Sequence, residues 1–471
     1  MAVGSWDDVA GLAGARTTII DLGGATVMPS FHDPHLHLLS YARQRARVDC
    51  RGALSPEDLV DRISARNSAA PDGRWIRAAG FDDATFQHSE LPDRLLLDRA
   101  SRRRPVRLQH RSLHLDILNT RALKVSGLWS SDDPGIERNR LNGEPTGRLF
   151  HASELLRHRL PRPTFDELAR DVRLVCDEMA ADGLTTIQDA SVTNGPEEWE
   201  LFHRLAQGGH LGGLRLCVMP GAQHWREVLA ARPPSDTVRI GPVKLMLGEG
   251  NAESGEVRLI TSEAHVAGRS VAIHAVSEAE LVMALNALGP DSAGSMRGGR
   301  DRIEHGAIIP DELLEDVRST GATVVGSPGL IHDRGDVYRA EIEAELHSWM
   351  HRAASLVQNG IPYAIASDAP VLEPIPLRHL AVARSRLTKS GEVLGPGEAL
   401  TTEQALRAMT IDAARTVGAD HELGMLRPGY LADIVVVDGD TLDVGDPDAR
   451  IRPVRLTIGG GRVLWRREDA V

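Results

Sequence analysis

Histidines, an aspartate and a lysine stand in this chain where they could bind a metal together. The stretch "MPSFHDPHLHLLSYA" places His35 and His37 two residues apart, and in a β-strand such side chains point to the same face. The pair can therefore aim two imidazoles at one ion, although nineteen histidines would also produce such spacings by chance. Further candidates are His274, His305 and Asp368, because imidazole and carboxylate groups are the usual ligands of zinc-type ions.

Lys244 is a candidate of a different kind. Lysine occurs only at Lys124, Lys244 and Lys389, although the chain has 54 lysines and arginines, and Lys244 lies in the apolar run "VKLML". Burial and nearby positive charge lower the pKa of a lysine amine. A neutral amine can take up carbon dioxide and become a carbamate, an anion that two metals can share, which arginine cannot do. The alternative is a structural lysine that snorkels from its strand or pairs with Glu249.

Short apolar runs, separated by amphipathic stretches, must position these residues. After the run that ends at His35 and His37 come "LTTIQDA", "LRLCVM", "VKLML", "VAIHA", "DRIEH", "ATVVGSP" and "YAIASD". Lys244, His274 and His305 fall 30 and 31 residues apart, one βα unit each. Eight parallel strands with crossover helices predict an α/β protein with a (β/α)8 TIM barrel, in which catalytic residues lie at the C-terminal strand ends.

Two parts of the chain fall outside this pattern. We predict a metal-dependent barrel over residues 33–414, interrupted by an insertion or lid subdomain over 49–163, because that stretch is far longer than a βα loop requires. Residues 1–32 and 415–471 are β-strand-like and predict a small β-sandwich formed by the termini. Because the chain begins close to the first of these strands, two alternatives stay open: either its start is misplaced, or the sandwich is incomplete at its N-terminal side.

Charge and composition indicate which kinds of molecule the protein binds. The formal net charge of −12 argues against a nucleic-acid partner, for which a basic surface is expected. The three cysteines are widely spaced, which suits a reducing compartment, and neither a signal peptide nor a membrane-spanning run is present. We expect a cytoplasmic protein with a small-molecule substrate and no nucleic-acid or membrane partner. Formation of a homo-oligomer stays open.

Several motifs together resemble one family. They are "MPSFHDPHLHL", "GLTTIQDAS", "VAIHAVSEAEL", "RIEHGAI", "IASDAPV" and the block "LTTEQALRAMTIDAARTVGADHELGMLRPGYLADIVVVD". With them the chain resembles the amidohydrolase superfamily, specifically its YtcJ-like branch, which includes N-substituted formamide deformylases. The resemblance implies a barrel beside a small β-sandwich, bound zinc or similar divalent metals, one or two per chain, and hydrolysis of amide or related C–N bonds.

The resemblance also implies roles for individual residues. The implied metal ligands are His35, His37, Lys244, His274, His305 and Asp368. Among them, His305 belongs to a second metal and Lys244 would be a bridging carbamate. Asp368 would take a proton from metal-activated water and deliver it to the leaving nitrogen.

Residues around the centre have open roles. His114, His332 and Tyr338 are candidate substrate-binding residues that could donate hydrogen bonds to the carbonyl oxygen, and a packing role is equally open for each. Glu304, beside His305, is interpreted as a supporting residue.

Two other functions compete with a binuclear hydrolase. The first is a mononuclear deaminase of the same superfamily, in which Lys244 is a bystander and His305 orients water. Such enzymes usually place a Glu three residues after the strand-five histidine, where this chain has Ser277, and Glu278 is one step late. The second is a non-catalytic scaffold with the same fold, against which the complete ligand set argues.

Overall fold

The computed structural model describes residues 2–69, 74–86, 91–112, 114–247, 254–289, 300–438, 447 and 454–468. The chain divides into two compact units. The larger unit consists of Met1–Tyr41 and Val172–Val471, and the smaller unit consists of Ala42–Asp171. The predicted insertion, 49–163, falls within the sequence bounds of the smaller unit.

The strands, in chain order, are β1 (Thr26–Pro29), β2 (Phe31–Leu36), β3 (Val48–Asp49), β4 (Ile76–Phe81), β5 (Val106–His110), β6 (Leu115–Leu118), β7 (Ile136–Arg138), β8 (Pro145–Phe150), β9 (Leu184–Asp189), β10 (Arg215–Val218), β11 (Val238–Ile240), β12 (Val243–Leu245), β13 (Val271–Ala275), β14 (Arg302–His305), β15 (Thr323–Gly326), β16 (Tyr363–Ile365), β17 (Ile434–Val437), β18 (Val454–Gly459) and β19 (Arg462–Arg466).

The α-helices are α1 (Trp6–Val9), α2 (Leu38–Arg45), α3 (Pro56–Ala69), α4 (Arg94–Ala100), α5 (Thr120–Val125), α6 (Ser153–Arg159), α7 (Phe165–Ala181), α8 (Pro196–Gln207), α9 (Trp225–Ala230), α10 (Ser254–Val266), α11 (Glu278–Leu288), α12 (Leu314–Thr320), α13 (Gly329–Glu341), α14 (Ala354–Gln358), α15 (Pro376–Ser385), α16 (Thr402–Ala408) and α17 (Ile411–Arg415). Among the described residues, no helix has both the length and the apolar character needed to cross a membrane.

Two parallel sheets form the centre of the larger unit. Their strand orders are β11-β10-β9-β2 and β12-β13-β14-β15-β16. All residues of β9 and β14 are buried, as expected for parallel strands that are covered on both faces. Helices alternate with these strands along the chain. The α/β class is therefore confirmed.

The structure adds a strand, β11, directly before the predicted run "VKLML", which contains β12. β11 pairs with β10, whereas β12 pairs with β13, and Gly241 and Pro242 separate β11 from β12. Proline has no N–H for a ladder hydrogen bond, so the pairing is interrupted there and the two short strands belong to different sheets. Lys244 on β12 also forms an isolated parallel bridge with Gly221. A Cβ at Gly221 would lie 1.9 Å from the carbonyl oxygen of Val192. Only glycine therefore fits at position 221, between Val192 and the bridge to Lys244.

The outer strands β2 and β16 also meet through backbone hydrogen bonds. The N–H of Asp368 donates to the carbonyl of His35 at 2.9 Å, and the N–H of His37 donates to the carbonyl of Ala369 at 2.7 Å. A single closed (β/α)8 barrel is nevertheless not confirmed. In the described part of the chain the parallel strands form two separate sheets, and the other sheets are antiparallel or mixed.

The chain termini form an antiparallel sheet of order β1-β17-β18-β19. Val435, Val436 and Val437 of β17 are buried in it. Asp433, just before β17, accepts hydrogen bonds from the Arg215 guanidinium and from the Gly460 N–H at 2.5 and 2.6 Å. Since Arg215 begins β10, this buried carboxylate ties the terminal sheet to a parallel sheet of the same unit.

The smaller unit is a mixed six-stranded sheet of order β3-β4-β5-β6-β8-β7. Its apolar cluster includes Ile76 and Val106 from the strands together with Leu59, Ile63 and Leu97 from α3 and α4. Alternate residues of β4 and β5 are buried in this cluster, which is the period-two pattern of a sheet with one covered face.

Candidate metal centre

His35 and His37 lie at the end of β2, as their spacing predicts. Every residue of β2 is buried, and the His35 side chain is only 2% exposed, whereas that of His37 is 29% exposed. Their ring centroids are 5.5 Å apart and nearly perpendicular. The two imidazoles therefore converge at the edge of the sheet, one closed off from water and one partly open to it.

Asp368 meets both histidines three residues after β16. Its Oδ1 lies 3.6 Å from His35 Nε2 and 3.4 Å from His37 Nε2. One possible ligand atom from each residue lies within 4.8 Å of the others. Asp368 has a positive φ of 57°, a conformation that non-glycine residues seldom adopt and that is found disproportionately at functional sites.

His305 and His274 extend the group along the neighbouring sheet. The His305 ring lies 4.9 Å from that of His35 and 4.6 Å from that of His274. His305 ends β14 with a φ of 71°, and His274 lies opposite Glu304 in the β13–β14 register. The structure thus brings four predicted histidines and the predicted aspartate into one connected group.

Lys244 is buried in β12 near the same group. It is 2% exposed, and its Nζ has no hydrogen-bond partner among the described residues. Burial lowers the pKa of Lys244 to about 8, although the charges of Glu304 and Asp368 oppose that shift. Glu249, the alternative partner, lies outside the described residues. A buried amine without a partner normally costs stability, which indicates that this position serves something other than packing.

Burial controls the protonation of the histidines and the aspartate in opposite ways. It lowers the pKa of His274 to about 4, assisted by the charge of Lys244, and it lowers the pKa of His35 and His305 as well. Burial alone would raise the pKa of Asp368, but the hydrogen bond from His37 and the neighbouring imidazoles lower it to about 2. At neutral pH His35, His274 and His305 are therefore neutral and Asp368 is ionised, which are the forms that bind metals.

The outer ring nitrogens are held by other side chains. His35 Nδ1 makes a short contact with Glu304 Oε2, and His37 Nδ1 lies 3.0 Å from Ser191 Oγ. Both Nε2 atoms consequently face Asp368. Imidazoles fixed from behind and a carboxylate in front form a donor set that fits a divalent metal, and the unpartnered Lys244 amine adds a further nitrogen.

The three candidate substrate-binding residues have contacts of other kinds. His332 on α13 is buried, and its Nδ1 lies 3.1 Å from the Leu387 carbonyl. Tyr338, also on α13, packs against an apolar cluster, and its ring centroid lies 5.8 Å from that of His351. His114 lies exposed in the smaller unit, with its ring 4.9 Å from that of His151. A role of these residues in substrate binding stays a prediction.

One supporting residue, Asp189, was not assigned a role from the sequence. Asp189 at the end of β9 accepts hydrogen bonds from the N–H groups of Leu38 and Ser191 at 2.7 and 3.0 Å. It thereby fixes the segments that follow both His37 and β9. The signal was available in "IQDAS", since a buried carboxylate directly after an apolar run needs donors close by.

Comparison with known proteins relates this architecture to others. A model of the amidohydrolase family matches residues 18–465. The N-substituted formamide deformylase of Arthrobacter pascens is 26% identical, with 99% of this chain and 93% of that protein covered. The protein YtcJ of Bacillus subtilis (strain 168) is 22% identical, with 96% and 91% covered. A metal-dependent hydrolase from Pyrococcus horikoshii OT3 shares the fold at a TM-score of 0.73 and 24% identity, with 93% and 91% covered.

Proposed function

Because this chain belongs to the amidohydrolase family and is a hydrolase of carbon–nitrogen bonds other than peptide bonds, we propose that it cleaves an amide, N-acyl or N-formyl bond of a small molecule with a divalent metal. The observation that carries the proposal is the convergence of His35, His37 and Asp368, whose ligand atoms lie within 4.8 Å of one another. The name of the Arthrobacter relative supports an N-substituted formamide as the first substrate to test.

Residues on four strands, or directly after them, would hold the metal or metals. We assign His35, His37, His274, His305 and Asp368 as ligands, with zinc as the expected ion because imidazole nitrogens and a carboxylate suit it. When bound, such an ion supplies a Lewis acid that polarises the scissile carbonyl and makes water more acidic.

Asp368 is the residue we assign to proton transfer. Its carboxylate is ionised at neutral pH because its pKa is lowered to about 2, so Oδ1 can accept a proton from the attacking water. The same carboxyl can then donate that proton to the leaving nitrogen, since an amine is a better leaving group once it is protonated. His37 Nε2 lies 3.4 Å from Oδ1, so the two residues are placed to bind the same ion.

We further propose that Lys244 carries a carbamate. The neutral amine attacks the carbon of carbon dioxide and loses one proton to solvent, which leaves an anionic group with two oxygens. The lowered pKa and the lack of a partner at Nζ support this, because both favour the neutral, reactive amine. The carbamate would supply the ligand that two metals share.

The remaining finer predictions are proposals as well. We propose that the two parallel sheets are the halves of a (β/α)8 barrel, which is supported by the backbone hydrogen bonds between the ends of β2 and β16 and by the bridge from Gly221 to Lys244. A cytoplasmic location, a small-molecule substrate and the absence of nucleic-acid and membrane partners stay as predicted, and homo-oligomer formation stays open.

The first experiment is the metal content of freshly purified protein, measured by mass spectrometry alongside turnover of N-formyl and N-acyl amines. We expect about two metals per chain, a count that follows from the bridging anion, and release of formate or another acid. One metal per chain with release of ammonia from an aminated ring would favour the mononuclear deaminase. A metal-free wild-type protein without activity would overturn the proposal and favour the scaffold.

A further inference from the structure

A fully buried ion pair lies directly behind the candidate metal centre. Arg302 and Glu304, two residues apart on β14, are both 0% exposed. The Arg302 guanidinium donates from Nε to Glu304 Oε1 at 2.6 Å and from a terminal nitrogen to Oε2 at 3.0 Å. Both carboxylate oxygens are therefore held by one rigid cation, and Oε2 also contacts His35 Nδ1.

Arg302 is itself fixed from two further directions. It donates to the carbonyl of Pro34 at 2.7 Å and to Gln188 Oε1 at 2.6 Å. Pro34 directly precedes His35, so Arg302 holds the backbone of the strand that carries the histidines. Gln188 on β9 is anchored in turn by Thr416 at 2.7 Å. The side chain of Glu304 thus has little freedom to turn away from His35.

This arrangement decides which nitrogen of His35 carries the proton. A carboxylate only accepts hydrogen bonds, so it stabilises the imidazole tautomer with the proton on Nδ1 and leaves the Nε2 lone pair directed at Asp368. His37 has a weaker equivalent, since its Nδ1 faces a serine hydroxyl that can either donate or accept. The two histidines of the pair are therefore supported unequally.

We infer that Glu304 is a positioning residue for His35, which holds the metal-binding tautomer and ring orientation, and that Arg302 fixes Glu304 in that role. The inference rests on the proposed function, because it assigns His35 to a metal. A buried pair of this kind contributes little net stability compared with apolar residues, so stability alone does not explain it. Carboxylates behind metal-binding histidines typically change metal affinity 10- to 100-fold.

The test is Zn²⁺ affinity, measured by competition with a chromophoric chelator. In Glu304→Gln, the N–H groups of Arg302 donate to the amide oxygen, so the amide NH2 turns to His35 Nδ1. This contact favours the tautomer with the proton on Nε2, which leaves no lone pair on Nε2 for a metal. We expect affinity to fall about 10- to 100-fold. In the double variant Arg302→Met with Glu304→Gln, the amide oxygen is free to accept from Nδ1, and we expect at least a partial recovery of affinity over Glu304→Gln alone.

A second buried ion pair in the same unit provides the control. Arg352 Nε lies 3.1 Å from Glu398 Oε1, with both side chains 7% exposed. Glu398→Gln breaks a comparable pair outside the centre, so it should lower the melting temperature of the metal-free protein without changing Zn²⁺ affinity. If Glu304→Gln does not fold, Glu304→Asp provides a second test. Its shorter side chain keeps a carboxylate for Arg302 but moves it away from His35, so Zn²⁺ affinity should fall as in Glu304→Gln.

The outcomes separate the inference from the proposed function. Affinity in Glu304→Gln within twofold of the wild type, or a double variant that binds no better than Glu304→Gln, overturns the positioning role while the wild-type enzyme still binds metal. Wild-type protein that binds no Zn²⁺ overturns the proposed function and the inference with it. A recovery in the double variant supports the inference, because a purely structural pair would be weakened further by losing its second member.

Discussion

Each unit of this molecule contains a group of histidine and aspartate residues whose side chains lie close enough to share a metal ion. In the larger unit the group is His35, His37 and Asp368, and in the smaller unit it is Asp82, Asp83 and His110. In both groups one ligand atom from each residue lies within 4.8 Å of the others. By residue type and spacing alone, the two would be equally good candidates for a metal.

Their surroundings separate them. In the smaller unit, Arg111 already pairs with Asp82 at 2.5 Å, and His110 places Nε2 2.9 Å from Asp83 and Nδ1 2.8 Å from Ser112. Those contacts occupy the atoms that would otherwise bind a metal. In the larger unit the partners lie behind the rings, so the inner nitrogens stay directed at one point. This difference shows how a metal centre can be recognised: neighbouring side chains bind the ring nitrogens that face away from the site and leave the nitrogens that face it free for a metal.

Asp368→Asn tests the larger group with the largest expected effect. The amide keeps the shape of the side chain but cannot take up the proton, so we expect turnover of the best N-formyl or N-acyl substrate to fall about 10³-fold, within the range of lost general acid–base catalysis. Asp82→Asn is the matched control and should retain wild-type turnover. Equal losses in both variants would remove the distinction between the two groups.

Burial of titratable groups in the larger unit predicts an acid-sensitive stability. Burial lowers the pKa of His351 from 6.5 to about 3, with a further contribution from the Arg386 charge. Below pH 6.5 the unfolded chain takes up a proton that the folded chain refuses until about pH 3. The free energy of unfolding should therefore decrease by up to about 1.4 kcal/mol per pH unit as the pH falls through that window.

His351→Asn isolates this contribution. His351 has a φ of 44°, and asparagine tolerates such a conformation better than most residues. Urea unfolding of wild type and variant, at several pH values between 7 and 4, should give a shallower acid dependence for the variant. Parallel curves for the two proteins would show that His351 is hydrated or already charged in the native state.

Lys244→Met is expected to separate stability from metal binding. Replacing a buried amine that has no described partner with an apolar chain should raise the unfolding free energy of the metal-free protein by about 1–3 kcal/mol. The same change removes the proposed carbamate, so the metal count should fall from two to one. Lys389→Met, at an exposed lysine paired with Asp333, should change neither quantity. A less stable Lys244→Met protein with two metals would contradict both expectations.

The parallel strands and the family could be predicted from the sequence because both depend on local sequence patterns. Apolar runs such as "VAIHA" predict β13, and the family assignment is confirmed by the match over residues 18–465. The three-residue strand β11 was not predicted, because "VRI" is short, contains a charged residue and lies before the run "VKLML" that contains β12. The mixed sheet of the smaller unit was not predicted either, because antiparallel and parallel pairings there join distant segments that share no repeat.

The candidate site shows the same limit. Residue types and strand positions predicted His35, His37 and Asp368 as neighbours, but no pattern states that Glu304 faces His35 and Ser191 faces His37. Those contacts join residues more than 150 positions apart, and only the fold decides them. The sequence also offers no reason to reject Asp82, Asp83 and His110, whose ion pairs appear only in three dimensions.

The smallest expected effect comes from breaking the group in the smaller unit. His110→Gln combined with Asp82→Asn removes two of its three candidate ligands. The metal count per chain should nevertheless not change, because Arg111, Asp83 and Ser112 already engage these atoms. Exposed ion pairs contribute little to stability, so the melting temperature should shift only slightly and the shift should shrink as salt is added. Metal analysis of the double variant beside wild type checks this. A loss of one metal per chain would mean that a metal ion displaces the ion pairs of the smaller unit. Both groups would then be metal sites, and they would differ only in their affinity for the metal.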